Sequence, residues 1–318
     1  MDSEVSQWFA DRTWQNPAWT PAELSAAKRG RTVSVVLPAL NEQATVGAIV
    51  AAISPLTEGP SPLVDELVVV DSGSTDDTRA AAEAEGARVV GREQVLPELP
   101  TRAGKGEVLW RSLAATSGDL VVFLDSDLVD FDSGFVPALL GPLLTDPGVA
   151  LVKGFYRRPL RLDRAELDTG GGRVTELLVR PLLAALYPQL SGMVQPLGGE
   201  YAATRELLES VPFSAGYGVE IGLLLDTHAR LGLAGLGQVN LGVRKHRNRS
   251  LLQLGVMARQ ILAAVLRRHG PTDDGGPITQ FHQVAGEWLP TSHEVEVRER
   301  PPMREVLSQG AAGQHDRT

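Results

Sequence analysis

The sequence contains no cysteine, no long uninterrupted apolar run and no excess of basic residues. Without cysteine the chain can form no disulfide and offers no thiolate as a nucleophile or zinc ligand. Any bound metal must therefore be held by oxygen atoms and imidazole rings. A cysteine-free chain is compatible with a reducing cytoplasm, which is where we expect the protein to act.

Charge and hydropathy argue against two further classes. The 318 residues include 39 acidic side chains and 30 Lys or Arg, a net charge of −9, whereas nucleic-acid binding demands a broad basic face. Polar residues interrupt the two most apolar stretches, Val33 to Ile53 and Leu251 to Leu266, so neither spans a bilayer unaided. The first residues are acidic where an export signal would be basic and then apolar. We expect a soluble protein without stable membrane insertion and without a nucleic-acid partner.

Strands and helices alternate through the first half of the chain. Largely apolar runs predict buried strands at Val33–Leu37, Leu67–Val70 and Leu120–Leu124, of which the last is continuously apolar. Helical spacing of apolar residues follows the first run over Val46–Ile53, and further helices are expected from about Asp76 and after Gly104. This alternation predicts an α/β fold with a mostly parallel sheet and helices on both faces.

The composition divides the chain into four segments. Residues 1–30 form a polar arm with scattered tryptophans, which suits packing onto the body or onto a partner subunit, and residues 31–150 contain the regular alternation. Residues 151–269 are less regular, with helices expected near Val219–Leu231 and from Leu251 to Val265. Glycine, proline and charge dominate residues 270–318, which predicts an extended or partly mobile tail.

Polar residues follow three predicted strands, at the edge of the sheet where ligands of such folds bind. These segments are Pro38–Glu42, Asp71–Ser74 and Asp125–Asp127. Side chains two apart in an extended chain point the same way, so Asp125 and Asp127 can face one divalent ion that neutralises both. A solvated turn is the alternative for this pair. Asp71 either reads a ribose or base, or closes an Asx turn.

Two glycine-containing segments invite phosphate-binding interpretations. Gly104-Lys105-Gly106-Glu107 is not a P-loop, because Gly106 stands where that motif needs Ser or Thr. A lysine between glycines before a helix can still approach a diphosphate, and a plain exposed loop is the alternative. Gly170-Gly171-Gly172-Arg173-Val174-Thr175 places a guanidinium and a hydroxyl at a helix start, which suits an anion unless the glycines form a flexible linker.

A basic run, Arg244-Lys245-His246-Arg247-Asn248-Arg249, follows a predicted strand near Gln238–Val243. Such a run is most often a solvated surface. A metal site without cysteine requires an imidazole, however, and His246 stands directly after a strand. His246 is therefore a candidate metal ligand.

The first-half segments Val36–Glu42, Asp71–Asp77 and Asp125–Asp127 together resemble the nucleotide-sugar half of GT-A glycosyltransferases. The second half resembles the actinobacterial glucosyl-3-phosphoglycerate synthases through Gly172–Thr175, Tyr217–Glu220 and Arg244–Arg249, and the likeness runs from about Thr13 to Thr279. The resemblance implies transfer of glucose from UDP-glucose to 3-phosphoglycerate with retention of configuration. It also implies Mg²⁺ or Mn²⁺, a homodimer, and an early step towards methylglucose lipopolysaccharides.

The same resemblance assigns the candidate site residues and gives the segments their roles. Residues 31–150 would bind the nucleotide sugar, and residues 151–269 would bind the acceptor and complete the metal site. The implied catalytic residues are Glu220, Asp127 and Lys105, and the implied metal ligands are Asp127 and His246. Donor contacts are implied for Pro38, Ala39, Leu40, Asn41, Glu42, Asp71, Ser72, Lys105, Asp125, Ser126, Tyr217, Gly218, Val219, Glu220, Arg244 and Arg249. Acceptor contacts are implied for Gly172, Arg173, Val174, Thr175 and Asn248.

Three competing functions stay open at this point. Mannosyl transfer from GDP-mannose to the same acceptor would use a similar site. A polyprenyl-phosphate sugar transferase would share the first half but requires a membrane-facing apolar surface, and none is evident in the sequence. A non-catalytic sensor of nucleotide sugars would need neither metal ligands nor acceptor groups. Within the synthase hypothesis, Glu220 is either a nucleophile or a residue that positions a sugar hydroxyl.

Overall fold

A computed structural model describes residues 2–157, 160–162, 165–167, 172–243, 250–270, 273, 276–284 and 287–315. The helices are α1 (Ser3–Arg12), α2 (Pro21–Ala27), α3 (Val46–Ile53), α4 (Thr78–Ala84), α5 (Lys105–Ala115), α6 (Phe135–Thr145), α7 (Arg180–Leu186), α8 (Arg205–Ser210), α9 (Val219–Leu231), α10 (Leu251–His269) and α11 (Met303–His315). The strands are β1 (Thr13–Trp14), β2 (Val33–Ala39), β3 (Glu66–Asp71), β4 (Arg88–Gly91), β5 (Leu120–Phe123), β6 (Leu151–Arg157), β7 (Leu160–Leu162), β8 (Ala165–Leu167), β9 (Tyr201–Thr204), β10 (Phe213–Ser214), β11 (Leu236–Val243), β12 (Ile278–Val284), β13 (Glu287–His293) and β14 (Glu299–Arg300).

One eight-stranded sheet runs through the molecule in the order β1-β11-β6-β9-β5-β2-β3-β4. All neighbouring pairs are parallel except the two that β9 makes, with β5 and with β6. The predicted α/β fold with a mostly parallel sheet is confirmed. The sheet takes strands from both predicted halves, because β6, β9 and β11 extend it beyond β5.

Each face of the sheet carries its own apolar cluster. Alternate residues of β2 point to opposite faces, so Val33, Val35 and Leu37 belong to one cluster and Val36 belongs to the other. Helices α3 and α6 pack on the first face, and α5 and α9 pack on the second. Each cluster combines side chains of the sheet with side chains of the helices that cover that face. Strands that are apolar on both sides require such a cover on both faces.

Strand β9 decides which loops meet at the edge where the parallel strands end. Because β9 runs antiparallel, its first residue, Tyr201, lies opposite Phe123 near the end of β5 and opposite Lys153 of β6. The segment that precedes β9 therefore shares an edge with Asp125. The sequence analysis did not predict β9, which is four residues long.

The N-terminal residues are part of the body, not a separate arm. Val5 and Trp8 of α1 are buried, and the indole Nε1 of Trp8 donates to the carbonyl of Leu236 at 3.0 Å. Strand β1 then pairs with β11 as the edge of the main sheet. The expected packing onto the body is observed, because these apolar side chains have no other way to leave water.

The tail after residue 270 is more ordered than its composition predicts. Strands β12 and β13 form an antiparallel hairpin, β14 pairs with β10, and α11 is the last described element. Met303 at the start of α11 is completely buried. The described strands and helix differ from the expected extended or partly mobile tail, because a few buried residues anchor a segment whose average composition is polar.

In the described part of the chain, no helix combines the length and apolar character needed to cross a membrane.

Candidate active site

A lysine joins two carboxylates from distant parts of the chain. The Nζ atom of Lys105, the first residue of α5, donates to Asp125 Oδ1 at 2.5 Å and lies 2.7 Å from Glu220 Oε1. Burial lowers the pKa of Lys105, but the negative charges of Asp125 and Glu220 raise it more, and the net result is well above the ordinary value. The ammonium therefore stays charged and keeps together two carboxylates that would otherwise repel each other.

Two glycines allow α5 to reach this position. A Cβ atom on Gly106 would overlap the carbonyl oxygen of Ser214, and one on Gly104 would lie 2.6 Å from the backbone nitrogen of Gly216. Gly104 also has a φ of 112°, which side chains disfavour. The first turn of α5 consequently packs backbone to backbone on the segment that leads into α9, whose first turn carries Glu220.

The ends of β2 and β3 are joined by side-chain to backbone hydrogen bonds. Asn41, at a φ of 56°, donates its backbone N–H to Ser74 Oγ at 2.9 Å. Its Oδ1 atom accepts the N–H of Thr75, also at 2.9 Å. Glu42 donates its backbone N–H to Thr78 Oγ1 at 2.7 Å. These bonds build a preformed rim from two of the three predicted donor-binding segments.

The third predicted segment is tied to the same rim. Ser126 donates its hydroxyl to the carbonyl of Pro38 at 2.6 Å, and its own carbonyl accepts the hydroxyl of Thr45 at 2.6 Å. Asp125 and Asp127, on either side of Ser126, are partly exposed at the end of β5. The rim therefore places two carboxylates beside the end of β2.

Asp71 has a local structural role in the described contacts. Its carboxylate is buried and accepts the backbone N–H groups of Gly73 and Ser74 at 3.2 Å. This is the Asx turn that stood as the alternative for this residue. A contact of Asp71 with a nucleotide stays a prediction.

A buried lysine lies beneath the Lys105 cluster, which consists of Lys105, Asp125 and Glu220. Lys153 on β6 donates its Nζ to the carbonyl of Gly198 at 2.6 Å and sits 4.4 Å from the centre of the Tyr201 ring. Burial lowers the pKa of Lys153 to about 8, although the charge of Glu220 acts in the opposite direction. Burial also raises the pKa of Tyr201 well above its usual range. The floor of the site thus contains charges with little access to water.

An open pocket adjoins this floor. Two of the predicted acceptor-binding residues, Gly172 and Thr175, line it together with Gly198. Its other lining residues are Glu176, Arg180, Val194, Gln195 and Leu197. Thr175 begins a π-helical turn, Thr175–Val179, a feature that is frequent at functional sites.

The described chain also contains the predicted residues Arg173, Val174 and Tyr217. Arg173 is half-buried next to the pocket wall, whereas the side chain of Val174 packs into the apolar core. Tyr217 is half-buried and donates its backbone N–H to Gln260 Oε1 at 2.9 Å. The predicted residues Arg244, His246, Asn248 and Arg249 lie outside the described residues.

The sequence analysis missed Lys153, Gly198, Gly199 and Tyr201. A Cβ atom on Gly199 would overlap the carboxylate of Asp125, so this backbone lines the Lys105 cluster directly. The paired glycines before an apolar segment were the available signal, since close backbone approach requires glycine. A single lysine within an apolar strand was the signal for Lys153.

Comparisons with known proteins identify a family and several similar proteins. The model of the family "Glycosyl transferase family 2" matches residues 34–183. The glucosyl-3-phosphoglycerate synthase of Mycolicibacterium smegmatis is 62% identical over 297 residues, which cover 93% of this chain and 97% of that protein.

Two crystal structures of the glucosyl-3-phosphoglycerate synthase from Mycobacterium tuberculosis are also similar. One, in complex with Mn²⁺, UDP-glucose and phosphoglyceric acid, has a TM-score of 0.84 at 60% identity and covers 92% of this chain and 98% of its own. The other, in complex with Mg²⁺ and UDP, has a TM-score of 0.85 at 59% identity and covers 93% of this chain and 99% of its own.

The fold, and the acidic and basic groups at the carboxyl edge of the sheet, define a glycosyltransferase of the nucleotide-sugar-dependent α/β class. Within that class, identity over nearly the whole length shows that the chain belongs to the glucosyl-3-phosphoglycerate synthase family. The family expected from the sequence motifs is confirmed.

Proposed function

We propose that this protein transfers glucose from UDP-glucose to 3-phospho-D-glycerate with retention of configuration. The observation that carries the proposal is the Lys105 cluster, in which Asp125 and Glu220 meet beside the pocket lined by Gly172 and Thr175. The likeness to a structure that holds UDP-glucose and phosphoglyceric acid together supports the choice of substrates.

The rim at the ends of β2, β3 and β5 would bind the donor. The exposed side chain of Leu40 can cover the flat nucleobase of the donor. The backbone around Asn41 is already fixed by its hydrogen bonds to the turn after β3. A preformed rim lowers the entropy lost on binding. Lys105 and Asp125, which follow the rim towards α9, would also contact the donor.

The chemistry of two predicted residues suits a divalent metal ion. Asp127 offers a partly exposed carboxylate after a buried strand, and His246 offers the imidazole that a cysteine-free site needs. We propose these two side chains as ligands of Mg²⁺ or Mn²⁺, and the bound ion would neutralise the diphosphate that leaves the sugar. The similar structures with Mn²⁺ or Mg²⁺ support this assignment.

Glu220 has two proposed roles that an experiment can separate. Its carboxylate either attacks the sugar, or it holds a sugar hydroxyl while the acceptor approaches from the face that the diphosphate leaves. Glu220→Gln keeps the size and one hydrogen-bonding oxygen but cannot be a nucleophile. Residual transfer with retained configuration would identify a positioning role, and loss of all transfer in a folded variant would favour a nucleophile.

Product analysis tests the function. The purified protein is incubated with 3-phosphoglycerate, Mn²⁺ and each of UDP-glucose, UDP-galactose and GDP-mannose, and the anomeric proton of the product is examined by NMR. We expect an α-linked glucosyl product from UDP-glucose, and none in excess chelator. Faster transfer from GDP-mannose would make the protein a mannosyltransferase, and donor binding without any transfer would make it a sensor.

The acceptor site can be tested at Arg173, which we propose binds the anionic acceptor with Thr175 and Asn248. Lysine keeps the charge of arginine but not its planar pair of donors. Arg173→Lys should weaken 3-phosphoglycerate binding about tenfold or more, equal to about 1.4 kcal/mol or more, and leave UDP-glucose binding nearly unchanged. Paired titration calorimetry checks both values.

The control for this test is Arg88→Lys. Arg88 forms an exposed ion pair with Glu66 away from the site. We expect Arg88→Lys to leave both affinities unchanged. Equal weakening of donor and acceptor by Arg173→Lys would place Arg173 in the donor site or in the fold instead.

We also propose a homodimer in the cytoplasm. Exposed apolar side chains at the start of α10 and on the hairpin, including Leu251 and Phe281, support a subunit interface. The absence of cysteine from the sequence supports a reducing compartment. Light scattering at micromolar concentration should give twice the chain mass, and a monomer mass would refute the dimer.

A further inference from the structure

The last strand of the tail lies between the two helices that carry the proposed catalytic pair. Strand β14 consists of Glu299 and Arg300 and pairs antiparallel with β10, Phe213–Ser214. The same β10 leads through Tyr217 into α9 and Glu220. Consecutive residues of a strand point to opposite sides, so Glu299 and Arg300 contact different elements.

Arg300 is bound to α5 by a two-point contact with a buried carboxylate. Its Nε donates to Glu107 Oε2 and its Nη2 to Glu107 Oε1, each at 2.7 Å. Its guanidinium also lies 4.9 Å from the centre of the Trp110 ring. Burial raises the pKa of Glu107, but the hydrogen bonds from Arg300 and Arg111 lower it more, so the net shift is downwards. The carboxylate is therefore ionised and held by two guanidinium groups.

Glu299 is bound on the side of α9 and α10. Its Oε1 accepts a hydrogen bond from the hydroxyl of Ser214 at 2.5 Å and another from Nη1 of Arg268 at 2.6 Å. Arg268 in turn donates to both carboxylate oxygens of Asp226, at 2.9 and 2.6 Å. Asp226 belongs to α9, the helix that begins next to Glu220. The dipeptide Glu299-Arg300 thus links α5 to α9, and Arg268 mediates the contact with α9.

We propose that Arg300 is a positioning residue for sugar transfer. Through Glu107 it fixes α5 against β10 and the following loop, and so sets where Lys105 lies relative to Glu220. Arg300 itself touches neither proposed substrate in this arrangement. Misplacement of a reacting group by about 1 Å can cost on the order of 10²-fold in rate, so a small shift of α5 is sufficient to affect turnover.

Steady-state kinetics of the intact protein test this inference, which rests on the proposed function for its assay and for the roles of Lys105 and Glu220. Arg300→Met should lower kcat about tenfold or more and change the KM of either substrate by less than about twofold. Arg300→Lys keeps the charge and should recover part of kcat. Arg298→Met is the matched control, because Arg298 is two residues away and its side chain pairs with Glu296 on the surface. We expect its kcat to equal that of the wild type.

A double variant distinguishes positioning from stability. In a Lys105→Met background, Arg300→Met should change kcat by less than about twofold, because the geometry that Arg300 protects is already lost. Equal fold losses with and without Lys105 would overturn the proposal. So would an unchanged kcat in an Arg300→Met protein that only melts at lower temperature.

Two results would require a changed experiment: an Arg300→Met variant that does not fold, and a wild type that uses another donor. If Arg300→Met does not fold, the same comparison is made with Arg300→Lys, and a wild-type kcat in that variant would overturn the proposal. If the wild type transfers a sugar from another nucleotide donor, all ratios are measured with that donor. A failure of the proposed substrate is thereby separate from a failure of the positioning role.

Discussion

At the residue scale, Lys105 holds the site together by charge. Its ammonium is shared by two carboxylates from distant parts of the chain, one directly after β5 and the other in the first turn of α9. Removing it would leave Asp125 and Glu220 close to each other with no positive charge between them. Like charges at such distances repel strongly where water has limited access.

The first prediction concerns this lysine. Lys105→Met should lower kcat on the order of 10²-fold, because it removes a preorganised charge and lets the two carboxylates separate. Steady-state kinetics with UDP-glucose and 3-phosphoglycerate measure the change. Lys28→Met is the matched control, since it breaks a comparable ion pair with Asp65 away from the site and should affect stability alone. Equal kcat in both variants would remove Lys105 from the mechanism.

The second prediction concerns Lys153, whose pKa of about 8 in the folded state lies below the ordinary value of 10.5. Between these values the unfolded chain binds more protons at this group, so its contribution to stability rises with pH from about 8 to about 10.5. Below pH 8 the folded protein bears the full cost of a buried ammonium. The stability that Lys153→Met gains over the wild type should therefore be largest at pH 7 and should decrease as the pH rises.

Urea unfolding of both proteins at pH 7 and pH 9.5 measures this difference. The variant does not titrate at position 153, so the change of the difference with pH reports Lys153 alone. The carboxylates and cations nearest to it are those of Glu220, Lys105, Glu200 and Asp125, and they are common to both proteins. A stability difference that is the same at both pH values would contradict the prediction.

At the element scale, the contact between α5 and the segment before α9 depends on glycine. The sequence indicated α5 and α9 separately, each from its apolar spacing. It did not indicate that they meet end to end, because the contact is made by backbone atoms, which leave no hydrophobic pattern. For the segment with Gly104 and Gly106 the sequence left two interpretations open, approach to a diphosphate and a plain exposed loop, and the described contacts explain both glycines by close packing.

The third prediction follows from this contact. Gly106→Ala should destabilise the protein by about 1–3 kcal/mol and reduce kcat, because the added methyl group would overlap the carbonyl of Ser214 and push α5 away. Thermal melting and kinetics measure the two effects. Gly148→Ala is the control, since its nearest atom would lie at an ordinary 3.4 Å. A fully active and stable Gly106→Ala variant would show that α5 can shift without consequence.

At the scale of the whole molecule, one sheet joins the two proposed halves. The division at residue 150 remains a proposal about function, with donor contacts mainly before it and acceptor contacts after it. Structurally, β11 and β6 extend the sheet that β2 and β5 begin, and β9 connects the two sets. The halves therefore share strand pairs and both apolar clusters.

The fourth prediction is that the halves unfold together. In urea, tryptophan fluorescence and far-ultraviolet circular dichroism should give coincident transitions, because separating the halves would expose the shared sheet. Two separated transitions would show that the division at residue 150 is a structural boundary as well.

The sequence by itself determined the elements whose information is local. Largely apolar runs identified β2, β3 and β5, since a strand buried on both faces tolerates few polar residues. The polar residues that follow these strands could be placed at one edge, because parallel strands end together. The motifs in these positions were specific enough to indicate the family, which the comparisons confirm.

Only the tertiary structure decided which distant residues meet. The pairing of Lys105 with Glu220 depends on sheet order and on a glycine contact, and neither is visible in the residues near either position. The antiparallel insertion of β9 brings Gly199 to Asp125, and a strand of four residues is too short for a periodic signal. Arg300 reaches Glu107 across 193 positions of the chain, because burial of a few side chains outweighs the polar composition of the tail.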